Sequence, residues 1–162
     1  MMNVNIFGKI ILYVCVPAVF FATGCKVVSN MSEGEAEQEV FQLVNEYRIS
    51  IQLNRLTWDE AIARECRAHS ENMADGNTDV GHEGYRARFD NICAAIPNAV
   101  FFGENVAHIS SHPEPAQYAL DLWLANATHR ANIEGNFGLT GVGVAKSESG
   151  EFYITQIFIR IE

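Results

Sequence analysis

Apolar residues return at three- and four-residue intervals along most of the chain and then alternate with polar ones near its end. Val40, Leu43, Val44, Tyr47 and Ile51 share one helical face, and Ser32 with Glu35 has the spacing of a capping box opening that helix. Thr57 and Glu60 repeat the box ahead of a second helix. Its inward stripe is Ile62, Cys66, His69 and Met73, and Gly76 occupies the C-terminal cap position. A loop carrying His82 follows, then a short helical stretch over residues 86–95 and a strand over 101–109 with Glu104 near its start. Pro113 and Pro115 can open a helix with Ala116, Leu120 and Trp123 on its apolar face. Residues 139–145 and 152–161 alternate as strands, joined by a turn at Glu148-Ser149-Gly150. Helices come first and a hairpin last, without the strand–helix–strand rhythm of a parallel sheet, so the pattern predicts an α+β fold.

The first residues break from this pattern. A weakly basic start over 1–9 leads into an apolar run over 10–22, too short to span a bilayer comfortably, and the run ends in Ala22-Thr23-Gly24-Cys25. That ending resembles a bacterial lipobox, with Ala22 where Leu is usual. The expected organisation is a lipoprotein-type signal peptide over 1–24, a tether over 25–34 beginning with an acylated Cys25, and one domain over 35–162; a plain signal peptide is the alternative. The chain is then exported to the cell envelope and held on a membrane by its lipid. Net charge is −9 and Lys9 is the one charge in residues 1–24, so the exported part is more acidic still. Such a surface repels phosphate backbones, which excludes nucleic acid as a partner. Beyond Cys15 in the signal and Cys25, the cysteines are Cys66 and Cys93. In an oxidising compartment they are candidates for a single disulfide or for two separate thiols.

Five histidines remain to be sorted. His69 belongs to the buried stripe of the second helix, and His112 sits in a loop beside Pro113. His108 shares strand parity with Glu104 and is an outside candidate for the same side. His82 and His129 differ, because both lie in polar segments rich in Gly or Asn, where a rigid scaffold usually presents binding groups. Arg130 adds a positive fork beside His129. Two imidazoles and the Glu104 carboxylate are the smallest set that holds a hydrated divalent cation with a position left open. No short-range metal motif ties them together, so spacing by itself leaves a shared site undecided.

Gly81-His82-Glu83-Gly84, Gly103-Glu104-Asn105 and Trp123-x5-His129-Arg130-x-Asn132-Ile133, with Leu56-Thr57-Trp58-Asp59 opening the second helix, resemble the CAP superfamily (cysteine-rich secretory, antigen 5, pathogenesis-related), and within it the bacterial SCP-like branch. The resemblance covers roughly residues 40–160. It implies a three-layer α-β-α sandwich with a central cleft, lined by the two histidines at His82 and His129 and by the carboxylate of Glu104. It implies Zn²⁺ or another divalent cation on His82 and His129, with Asn105, Asn126 and Arg130 around them. Many eukaryotic members carry a second glutamate where this chain has Asn126, and an amide cannot serve as a base or balance charge. Three functions follow as expectations. The first is an exported, lipid-anchored binding module presenting a two-histidine cation cleft to an extracellular lipid, glycan or peptide. The second is a metal-assisted hydrolase with Glu104 as general base. The third is an envelope structural protein. Asn126 favours binding over catalysis. For a preformed zinc site, the His82 and His129 rings should lie within about 6 Å.

Overall fold

The computed structural model describes residues 30–162, so the signal segment and Cys25 lie outside the described residues. The element order is α1 (Glu33–Ser50), β1 (Thr57–Trp58), α2 (Glu60–Ala74), α3 (Tyr85–Ala95), β2 (Ala99–Ile109), α4 (Pro115–Ala125), α5 (Ala127–Glu134), β3 (Leu139–Lys146) and β4 (Phe152–Ile161). The four strands form one sheet in the order β1-β3-β4-β2, with β2 and β3 antiparallel to β4 and β1 parallel to β3. Helices α2 and α3 cover one face, and α1, α4 and α5 cover the other. The result is an α+β fold of three α-β-α layers.

Each face buries most of what its periodicity promised. Ile62, Cys66, His69 and Met73 of α2 are buried, and Ile62 and Cys66 meet Ile157 and Ile159 of β4, Phe102 of β2 and Ile92 of α3. On the other face Val40 and Val44 of α1 join Ala116, Leu120 and Trp123 of α4 against Val142, Val144, Ile154 and Phe158. Ile51 ends outside the helix and is exposed. The Ser32–Glu35 box forms as expected, but the helix starts at Glu33, so the last residues assigned to the tether belong to the folded domain.

The second box does not form. Thr57 and Trp58 are drawn into β1, where the Thr57 N–H donates to Gly138 O and the Asp59 N–H to Thr140 O, both at 2.8 Å. Asp59 then caps α2, its carboxylate accepting from the Ala61 and Ile62 N–H groups. Strand pairing wins over local capping because it satisfies backbone groups of β3 that would otherwise lie open. Among the described residues the two cysteines are free: Cys66 Sγ donates to Gly141 O on β3, and Cys93 Sγ to Ala99 O at the start of β2. Burial pushes the Cys66 thiol well above its ordinary pKa, which suits a packed residue rather than a nucleophile.

Candidate functional site

Strand β2 is an edge strand, and its pleat sends neighbouring side chains to opposite layers. Glu104 pairs in register with Ile157 and turns toward α2 and α3; Gly103 and Asn105 turn toward α5. Gly103 is required there, because a Cβ would lie 2.8 Å from Asn132 Oδ1 and 3.2 Å from Phe137 Cζ. That close approach lets Asn132 Nδ2 donate to Glu104 O at 3.0 Å and to Asn105 Oδ1 at 2.9 Å, while Asn105 Nδ2 donates to His129 O at 3.1 Å. The Gly-Glu-Asn motif therefore fixes α5, and with it His129, to the strand that carries Glu104.

His82 reaches the same place from the other layer. Its loop is tied to α2 by His69, whose Nε2–H donates to Gly81 O at 2.8 Å, and closes into α3 through the Tyr85 N–H on His82 O. His82 Nδ1 then lies 2.8 Å from Glu104 Oε1. The rings of His82 and His129 meet edge to face, with centroids 6.4 Å apart. His82, Glu104 and His129 are thus brought together, although their elements come from opposite layers. Burial holds His129 below the ordinary histidine pKa, and His82 pushes it the same way; burial also lowers His69.

The decisive neighbour is a residue that motif reading missed. Arg88, on α3, lies across the Glu104 carboxylate: Nε is 2.8 Å from Oε2, and Nη2 is 2.8 Å from Oε1 and 2.7 Å from Oε2. Its Nη1 donates to Glu83 O at 2.6 Å. The pair is enclosed, with side-chain exposures of 8% for Arg88 and 1% for Glu104. Two parallel N–H bonds to one carboxylate are among the strongest neutralising contacts available. A signal did exist, since Tyr85, Arg88 and Ile92 fall on one helical stripe, and a guanidinium on an inward stripe needs a buried acid.

Three expected cleft residues have other uses. Asn126 is the N-cap of α5, its Oδ1 accepting from the Thr128 and His129 N–H groups at 2.9 and 3.2 Å. The polar segment around His129 is a helix, and an asparagine at its start supplies the cap. Arg130 donates through Nε and Nη2 to Leu124 O, joining α5 to α4. His108 stacks on Tyr153 and meets Glu151 at 3.3 Å, away from Glu104. His112 stacks on Tyr118 at the surface.

Among the described residues, no group of three or more His, Cys, Asp or Glu is arranged to hold a metal ion. The donors that fit one are two, His82 and His129. With His82 Nδ1 turned to Glu104, its Nε2 is the nitrogen left to face a ligand, an orientation that a carboxylate commonly imposes on metal-binding imidazoles. Two imidazoles on one tetrahedral zinc place their ring centres roughly 5 Å apart, so the observed 6.4 Å is not a preformed zinc geometry. Closing the gap requires His82, half exposed at 50%, to swing inward.

The sequence pattern of the cysteine-rich secretory protein family, CAP, matches residues 41–158. The chain is 32% identical over 144 residues to the uncharacterized protein YkwD of Bacillus subtilis, covering 88% of this chain and 54% of the relative; it therefore spans about half of that protein's length. An extracellular protein containing an SCP domain from Bacillus anthracis superposes with a TM-score of 0.62 at 32% identity, over 79% of this chain and 41% of the other. An outer surface protein of Borrelia burgdorferi shares the fold, with a TM-score of 0.70 at 13% identity over 82% of this chain and 97% of that one.

Proposed function

Because the chain belongs to the cysteine-rich secretory protein (CAP) family, we propose that it is an exported binding module whose His82–His129 cleft takes a divalent cation at low affinity and presents it to an extracellular lipid, glycan or peptide. The observation that carries this reading is the Arg88–Glu104 pair. A general base needs a lone pair facing the water it activates, and both oxygens of Glu104 already accept guanidinium N–H bonds in an enclosed position. Glu104 is better suited to orienting His82 than to abstracting a proton, which favours binding over hydrolysis.

Charge supports low affinity. Arg88 cancels Glu104, and Asn126 supplies none, so an ion on the two imidazoles would keep its charge largely uncompensated. When bound, the cation would offer Lewis-acid contact to an oxygen of the ligand. His82 and His129 would hold it, Glu104 would orient His82, and Arg88 would hold Glu104. Export is supported by the leader-like N-terminus and by the Bacillus anthracis relative, described as extracellular. A lipid anchor at Cys25 belongs to the same proposal.

Titration calorimetry with zinc at neutral pH tests the cleft. Wild type should bind one ion weakly and the His82→Ala, His129→Ala double variant none. Absence of binding by wild type would refute the cation reading. The anchor is tested by metabolic labelling with a fatty-acid analogue, which should mark wild type and not Cys25→Ser; equal labelling of both removes it.

A further inference from the structure

We propose that Arg88 determines the specificity of this site by withholding Glu104 from any ion bound at His82 and His129, so that coordination positions stay open for an outside ligand. The inference rests on the two-histidine reading above and concerns residues that reading leaves unexplained. A carboxylate beside two imidazoles would ordinarily complete a three-ligand set, as catalytic zinc sites do. Here it cannot. The guanidinium spans both oxygens, and it is itself fixed from a second side by Glu83 O, the residue after His82. Gly84 is part of the arrangement: its φ is +75°, and a Cβ there would lie 3.1 Å from Arg88 Nη1. The loop that carries His82 is thus shaped around the arginine that restrains Glu104. Moving Glu104 onto an ion would strip an enclosed guanidinium of its counter-charge, which is strongly unfavourable.

Arg88 also places a positive charge close to the cation position, lowering affinity directly. Both effects point the same way, so removing the guanidinium should tighten binding by giving the ion a third protein ligand and one less repelling charge. Removing the Glu104 charge from wild type should weaken binding, because His82 loses its orienting partner, whereas any gain in an Arg88 variant should require Glu104 to be present.

The test is a double-mutant cycle on the full chain, read by zinc affinity and by the absorption spectrum of bound Co²⁺, which reports ligand number. Arg88→Met should tighten zinc binding by about tenfold or more and shift the Co²⁺ spectrum toward a higher protein-ligand count. Glu104→Gln alone should weaken binding about tenfold by releasing His82, and adding it to Arg88→Met should leave no gain over wild type. Arg88→Lys keeps the charge but cannot span both oxygens, so it should fall between wild type and Arg88→Met; it keeps the cycle readable if Arg88→Met fails to fold. Unchanged affinity in both Arg88 variants, or a gain in Arg88→Met that survives the addition of Glu104→Gln, overturns the proposal. Zinc bound by Arg88→Met and not by wild type would sink the functional reading and support this one. No binding by any variant overturns both.

Discussion

The two edges of the sheet are closed by opposite chemistry. Beyond β1, the open side of β3 is met by acceptors from α1: the Val144 N–H donates to Glu37 Oε1 and the Lys146 N–H to Glu33 Oε1. Along β2, the open side is met by donors. Phe102 O accepts from Tyr85 Oη–H on α3, Glu104 O from Asn132 Nδ2 on α5, and Val106 O from Trp123 Nε1 on α4. Either device removes a row of unpaired backbone groups that would otherwise invite another strand. The difference lies in what each brings with it. At β3 the caps come from one helix, and Glu37 also holds Arg67 of α2 at 2.8 Å, so that edge only ties layers together. At β2 the caps come from three helices, two of which carry or follow the site histidines. Protecting that edge and assembling the site are there the same set of contacts.

Separating the two edges by mutation gives the largest expected contrast. Asn132→Ala leaves Glu104 O and Asn105 Oδ1 without their donor and should cost about 1–3 kcal/mol in chemical denaturation. It should also weaken zinc binding, because α5 loses its hold on β2. Glu37→Gln removes an ion pair that is a third exposed on the Arg67 side, at 33%, and should cost about 1 kcal/mol or less with zinc binding unchanged. If both variants lose stability but neither loses metal affinity, the β2 edge is an edge and nothing more.

A smaller effect sharpens the comparison through pH. The His69–Gly81 bond is the titratable lock on the β2 side. Burial lowers the folded-state pKa of His69, so below about 6.5 the unfolded chain takes up a proton that the folded one resists. Stability should therefore be complete above that pH and decline as pH falls below it, until the folded ring also protonates. His69→Gln, which keeps a donor and does not titrate, should flatten this decline in thermal melts at pH 7 and pH 5. An equal decline in both proteins would place the acid sensitivity elsewhere.

Much of the fold was legible because burial leaves a periodic trace. The stripe of α2, the faces of α1 and α4, and the β3–β4 hairpin follow from residue spacing, since each element must hide one side. What spacing misread were competitions between local and distant partners. Thr57 looked like a cap until β3 offered it a strand to join, and the polar segment around His129 is the short helix α5, which Asn126 caps.

The sequence by itself marked His82, Glu104 and His129 as candidates, by setting them in polar motifs and flanking Glu104 with Gly103 and Asn105. Tertiary structure alone decided what Glu104 is paired with. Its partner Arg88 lies 16 residues away on another element, and the pairing exists because α3 packs on β2 with that arginine facing inward. A pattern along the chain reports that a face is buried; it does not report which charge waits on the other side, and that charge is what divides an orienting carboxylate from a ligand or a base.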